Sequence, residues 1–148
     1  MKRRKAREHV LQILYQLETM HGSDNFSTLP QRDIAEDFLK HFPLNRANVD
    51  EAYLVRLLKS VLQNTPEIDS AIEKSSDHWK ISRMARIDRN ILRIATAELL
   101  FAKETDASVV FDEAIEIAKK YGTEESPPFI NGILDMVSKK LTAAEGAR

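Results

Sequence analysis

Apolar residues recur every three or four positions along most of the chain, which is the period of an amphipathic α-helix. Seven stretches carry this pattern. Their apolar positions are Val10, Ile13, Leu14 and Leu17, then Ile34 and Phe38, then members of 53–62, then Ile68 and Ile72, then members of 87–99, 110–121 and 129–141. No stretch alternates in the manner of a strand. The pattern predicts an all-α protein of about seven helices, four before Trp79 and three after it.

Helix boundaries follow from residues that cap or interrupt helices. Thr65-Pro66 and Ser126-Pro127 predict helix starts, since a capping hydroxyl precedes a proline in the first turn. Gly122 predicts the end of the sixth helix. The chain divides into an N-terminal sub-bundle of about 1–78 and a C-terminal sub-bundle of about 79–142, within one domain. The tail 143–148 is expected to fray.

The composition excludes several classes of protein. A chain of 148 residues is about the size of one domain. It has no cysteine, so it has neither disulfides nor a thiolate metal site, as is typical of a reducing, cytoplasmic setting. No apolar run approaches the ~20 residues of a membrane helix. Gln12, Gln16 and Glu18 interrupt the first apolar stretch, which argues against a signal peptide.

Positive charge is concentrated at the start of the chain. The chain has 22 Lys and Arg against 23 Asp and Glu, and five of the cations fall within the first seven residues, so the remainder carries 17 against 23, or −6. These five are Lys2, Arg3, Arg4, Lys5 and Arg7. Such a block is typical of a contact for a polyanion such as nucleic acid, although a disordered, solubilising terminus would have the same composition. Five phosphate contacts on a single strand would give a salt slope of at most about −3.5.

The basic segment leads directly into the first helix, which favours the binding interpretation. Arg3, Arg4 and Arg7 are predicted on or just before the first turn, where the helix dipole disfavours cations. Bound phosphate would offset that cost.

Catalytic and metal-binding motifs are not found in the sequence. It has no metalloprotease motif, glycine-rich phosphate loop or nucleophile elbow. Its four histidines are scattered, at His9, His21, His41 and His78. Adjacent acids such as Asp112-Glu113 diverge by about 100° on a helix and cannot share a proton. We therefore expect no enzymatic activity, no cofactor and no metal.

Three further features could take part in binding. The cations Lys80, Arg83, Arg86, Arg89 and Arg93 form a stripe, for which a solvated face with intramolecular acidic partners is the favoured interpretation. Phe129 could stack on a base or belong to the core. Tyr15, on the flank of the first helix, could fill a seam or face a partner.

Several sequence runs resemble the NusB family of bacterial transcription antitermination factors. Besides the basic segment they are Ala6-Arg7-Glu8, Leu14-Tyr15, 91–95 with Glu98-Leu99, and the most specific run, which extends from Asp112-Glu113-Ala114 through 118–124 and Ser126-Pro127 to 129–135. The resemblance spans essentially the whole chain in order. Residues 22–78 match only as a helical pattern.

The resemblance implies a fold of two roughly perpendicular helical sub-bundles. It also implies a function. NusB-like proteins pair with NusE, a small-subunit ribosomal protein, and bind the boxA element of nascent RNA. The pair thereby helps RNA polymerase to pass terminators, notably in ribosomal RNA operons.

The resemblance also implies roles for individual residues. By position, Lys2, Arg3, Arg4, Lys5 and Arg7 match the family's arginine-rich RNA-binding motif. Phe129 matches an aromatic near the RNA, Glu125 an acidic position that tempers RNA affinity, and Tyr15 and Asp88 positions that contact NusE. Relatives often have a basic residue where this chain has Pro128, so we expect weaker RNA binding without NusE.

Two alternatives stay open at this point. The chain could be a free-standing relative of the N-terminal domain of some RNA cytosine methyltransferases. It could also be a structural protein that forms homodimers through the Tyr15 flank and hides the basic segment.

Overall fold

The computed structural model describes residues 2–22, 26, 34–41, 46–76 and 79–146. These residues form seven α-helices and no strand, which confirms the predicted all-α class. The helices are α1 (Lys2–His21), α2 (Ile34–His41), α3 (Glu51–Gln63), α4 (Thr65–Lys74), α5 (Arg86–Leu100), α6 (Ala107–Tyr121) and α7 (Ser126–Gly146). Short 3-10 turns occupy Arg46–Asn48 and Ile81–Arg83. The side chains of Ile34 and Phe38, predicted to point inward, lie outside the described set.

Helix α5 lies at the centre of the molecule. It packs against α1, α3 and α4 on one side and against α6 and α7 on the other. All ten side chains from Asn90 to Leu99 are buried. Apolar residues from six helices meet there in one continuous core. Because both halves of the chain share that core, the position of α1 is fixed by residues far away in sequence.

Two predicted boundaries differ in detail from the structure. Thr65 begins α4, but its hydroxyl donates to the Val61 carbonyl at 2.8 Å instead of capping the helix, and Asn64 occupies the cap position. Helix α7 continues to Gly146, four residues beyond the predicted end of the C-terminal sub-bundle at 142. Ala143 and Ala144 are strong helix formers and extend it.

Gly122 directly follows the end of α6 and begins the connection to α7, and glycine is required there for a steric reason. Its φ of −95° is open to any residue. A Cβ there would lie 2.7 Å from the Ser126 Cβ and 2.9 Å from the Ala118 carbonyl oxygen. The close return of the chain onto itself, and not a left-handed backbone, therefore requires glycine.

The cation stripe is largely engaged within the fold. Arg86 and Arg89 both pair with the buried Glu18 of α1. Arg93 donates two bonds to Asp69, at 2.8 and 3.0 Å. Intramolecular acidic partners are confirmed for these three arginines, but Arg93 is only 1% exposed and does not belong to a solvated face.

No helix among the described residues is both long enough and apolar enough to cross a membrane.

Candidate nucleic-acid interface

The basic segment is itself helical, since α1 begins at Lys2. The first turn of α1 contains no acidic residue. Its cations therefore have no acidic neighbour in that turn, at the end of the helix where the dipole disfavours positive charge. Carboxylates from other elements approach them instead. Asp50 precedes α3, and Glu113 lies on α6. Carboxylates of the protein therefore offset the cost of placing cations at the start of α1, a role that the sequence analysis gave to bound phosphate.

Arg4 makes the most regular of these contacts. Its guanidinium donates two bonds to Glu113, at 2.6 and 3.0 Å. The bond to Glu113 raises the pKa of Arg4, and the bond from Arg4 holds the pKa of Glu113 below its usual range. About a third of the Arg4 side chain stays exposed, at 35%. It is thus within reach of a ligand but already occupied.

Arg3 and Lys5 are held more loosely. The Arg3 guanidinium lies over the Tyr53 ring, 4.5 Å from its centroid, and 3.8 Å from an Asp50 oxygen. The Lys5 ammonium is 3.7 Å from Glu8, and half of its side chain is exposed. Lys2 is exposed as well. These three cations can exchange their present partners for phosphate at little cost.

Arg7 was predicted to contact RNA, but the structure buries it. Only 3% of it is exposed. It donates two bonds to the buried Glu98, at 2.7 and 2.9 Å. Tyr53 donates to the same carboxylate. Burial is the largest influence on Arg7 and lowers its pKa, but the bond and charge of Glu98 outweigh it and the net pKa is raised. Arg7 fastens α1 to α5 and is not offered to a ligand.

The start of α1 and the end of α6 enclose an open groove of about 640 Å³. Five cations and two carboxylates line it. The lining residues are Lys2, Arg4, Lys5, Glu8, Asn48, Glu116, Ile117, Lys119 and Lys120. We refer to it as the basic groove. Its excess of positive charge, open to solvent, suits an extended polyanion.

Lys119 and Lys120 were missed by the sequence analysis. They lie in the last turn of α6, where the helix dipole favours cations whatever their function. Because the dipole alone explains both lysines, the sequence gives no sign that they line a groove. Only the packing of α6 beside α1 brings them opposite Lys2 and Lys5.

Glu8 joins the two walls of the groove. It accepts from Lys120 at 2.5 Å and from the Tyr121 hydroxyl at 3.1 Å. Burial, the largest single influence, raises the pKa of Glu8, but the bonds from Lys120 and Tyr121 together outweigh it and the net pKa is lowered. The carboxylate is therefore charged at neutral pH, and it positions the end of α6.

The two residues predicted to contact a protein partner lie on α1 and α5, which pack against each other. Tyr15 is 45% exposed. Its ring lines a hollow of about 350 Å³ together with Leu11, Gln12, Gln16, Ile87 and Tyr121. The half-buried Asp88 follows Ile87 in the first turn of α5. We call this surface the Tyr15 hollow.

Glu125 and Phe129 lie at the start of α7. Glu125 is exposed, and its carbonyl accepts from the Phe129 N–H at 3.2 Å. Phe129 packs partly against the core. Its ring also meets Trp79 edge to face, with 6.2 Å between centroids. Phe129 is therefore partly core, and its other side borders the surface.

The basic groove and the Tyr15 hollow follow one another along α1. Glu8 belongs to the groove, while Leu11 and Tyr15 belong to the hollow. Steps of three and four residues place these side chains on one helix face. The end of α6 borders both, through Lys120 and Tyr121. The two surfaces therefore adjoin along α1 and at the end of α6.

Among the side chains that the structure describes, no group of three or more His, Asp or Glu could hold a metal ion.

The NusB family model matches residues 4–139. A transcription antitermination protein NusB from Thermodesulfovibrio yellowstonii is 39% identical over 143 residues, covering 95% of this chain and 93% of its own length. Another from Pseudothermotoga lettingae is 37% identical over 144 residues, covering 97% and 96%.

Solved structures agree with these relatives. T. maritima NusB superimposes with a TM-score of 0.75 at 37% identity, over 94% of this chain and 92% of the other. A chain in the crystal structure of antitermination factors NusB and NusE in complex with dsRNA gives a TM-score of 0.71 at 28% identity, over 93% and 96%.

Proposed function

The chain belongs to the NusB family, and on that premise we propose that it is a transcription antitermination factor acting on RNA. Paired with NusE, it binds boxA-type single-stranded RNA of the nascent transcript, notably from ribosomal RNA operons. It thereby tethers that RNA to the elongating RNA polymerase complex. Its task is recognition without catalysis, and it acts in the cytoplasm.

One observation carries the proposal. The basic groove continues directly into the Tyr15 hollow along a single face of α1. RNA held by Lys2, Arg3, Arg4 and Lys5 would therefore lie beside a NusE subunit seated at Tyr15 and Asp88. Each contact alone is weak, but joining them on one rigid surface raises the effective concentration of the second partner.

Carboxylates within the protein compete with the RNA. Arg4 is bonded to Glu113, and Lys120 to Glu8. Phosphate binds only by displacing these partners or by sharing their cations. This competition supports an affinity that is modest until NusE adds its own surface. The exposed Glu125 adds negative charge next to Phe129 and tempers affinity in the same direction.

The first test removes the four accessible cations. In the variant Lys2, Arg3, Arg4 and Lys5 all become Ala, and Arg7 is kept because it is buried. Four lost phosphate contacts should reduce the salt slope of RNA binding by up to about 2.8. Fluorescence anisotropy of a labelled boxA-type RNA, with and without NusE and at two salt concentrations, measures this change.

A charge-matched control separates the groove from net charge. Replacing Lys40, Lys59, Lys74 and Lys139 with Ala removes the same charge from positions that do not line the groove. The control should bind RNA nearly as well as the unchanged protein. Equal loss in both variants would mean non-specific attraction. No loss in the groove variant would contradict the proposal, and light scattering would then test the homodimer alternative.

Replacing Glu113 with Gln should tighten RNA binding. The change removes the carboxylate that holds Arg4 and leaves a neutral side chain of nearly the same size. We expect an affinity gain of about two- to fivefold, the equivalent of one partly exposed ion pair. The same anisotropy titration measures it. The gain should vanish when Arg4 is also Ala, whereas a persisting gain would show that Arg4 is not the group released.

A further inference from the structure

We propose that Trp79 joins Phe129, Lys80 and Arg83 in a second RNA contact, a platform on which bases stack. The proposal rests on the proposed function, and it adds residues that neither the predicted set nor the basic groove contains. Its central observation is the exposed edge-to-face pair of Trp79 and Phe129.

The two rings differ in how they are supported. Phe129 packs against the core, whereas Trp79 is 50% exposed. Their planes meet at 84°, so Phe129 contacts Trp79 edge to face and leaves part of the indole open to solvent. The open part of the indole is an aromatic surface on which a planar ligand can stack.

The backbone that presents Trp79 is fixed. The Trp79 N–H donates to the Ser76 hydroxyl at 3.2 Å, and the Ile81 N–H donates to Glu73 at 3.0 Å. The Ile81–Arg83 turn then leads to Met84, which is buried. These bonds hold the backbone at Trp79 and Ile81, and the contact with Phe129 orients the indole, which limits the entropy lost on binding.

Two cations without acidic partners among the described residues follow Trp79 closely in the sequence. The side chains of Lys80 and Arg83 are exposed, and neither has an ion pair with any described residue. Arg3, Arg4, Lys119 and Lys120, by contrast, each lie within 4 Å of a carboxylate oxygen. Lys80 and Arg83 thus offer positive charge that needs no displacement.

Aromatic faces beside free cations fit a single-stranded nucleic acid. Every base has a face that can stack, and the backbone phosphates pair with the cations. The platform therefore takes one or two bases of the RNA whose phosphates run through the basic groove.

Trp79 provides its own reporter, because it is the one tryptophan of the chain. Titrating the protein with unlabelled boxA-type single-stranded RNA should quench its emission. The quenching should saturate at the same RNA concentration as the anisotropy of a labelled RNA. Unchanged emission during binding seen by anisotropy would overturn the platform and leave the proposed function intact.

Variants test the energetics. Trp79→Ala should weaken RNA binding by roughly tenfold, the loss of one stacked base, while Trp79→Phe should retain most of the affinity. Lys80→Ala with Arg83→Ala, which disturbs no packing, should lower the salt slope by about 1.4. The control Lys40→Ala with Lys59→Ala removes equal charge elsewhere and should change neither the RNA affinity nor the salt slope.

Each remaining outcome is decisive. If the unchanged protein binds no RNA at all, with or without NusE, the proposed function and the platform both fall. If Trp79→Ala and the double cation variant bind RNA normally but lose NusE, the surface is a protein contact and the platform is wrong. Weaker RNA binding by both variants, together with quenching of the Trp79 emission, supports the platform.

Discussion

Replacing Arg7 with Ala should lower the free energy of unfolding by about 3–5 kcal/mol. The change leaves the Glu98 carboxylate, which is only 2% exposed, without its strongest partner. The Tyr53 hydroxyl still donates to it but carries no compensating charge. Urea denaturation followed by circular dichroism measures the loss. Arg4→Ala, at a partly exposed ion pair, should cost no more than about 1 kcal/mol.

Two further variants separate burial from charge. Arg7→Met, Glu98→Met and Tyr53→Phe together remove the three polar groups that bond to one another in the core, and much of the lost stability should return. If Arg7 contacted phosphate, its loss would reduce the salt slope of RNA binding by about 0.7. We expect no change in slope for whatever fraction stays folded. A normal stability with a reduced slope would contradict the structural role.

The helices could be predicted because their signal is local. Period, proline and glycine positions identify α1 to α7 without knowledge of what each packs against. The same period also indicates that Arg7 is buried, although Arg7 belongs to a basic run. Arg7 precedes Leu11 by four residues and Leu14 by seven, so it lies on the buried stripe of α1, whereas Lys5 does not. Periodicity should therefore have outweighed membership of a basic run.

The rest of the site depends on contacts between distant parts of the chain. Glu113 is 109 residues from Arg4, and Lys120 is 112 residues from Glu8. Nothing in a single sequence assigns those pairs, since any of its acids could have served. The contact of Trp79 with Phe129 could not be predicted either, because the two residues are 50 apart in the sequence.

Gly122→Ala should disturb stability and RNA binding together. The new Cβ would lie 2.9 Å or less from both the Ala118 carbonyl oxygen and the Ser126 Cβ, and neither atom can move without shifting α6 or α7. We expect a loss of about 1–3 kcal/mol. Because α7 carries Phe129, its displacement should also weaken binding of boxA-type RNA severalfold. Thermal unfolding and anisotropy measure the two effects.

Gly132 provides the matched control for this substitution. It lies within α7, and a Cβ there would meet nothing within 4 Å. Gly132→Ala should therefore raise stability by about 0.5–1 kcal/mol through the better helix propensity of alanine. Opposite signs at the two glycines would establish that contact, and not glycine itself, fixes the turn into α7. If Gly122→Ala kept full stability but lost RNA binding, the loop between α6 and α7 would touch RNA directly, and the indirect route through Phe129 would be wrong.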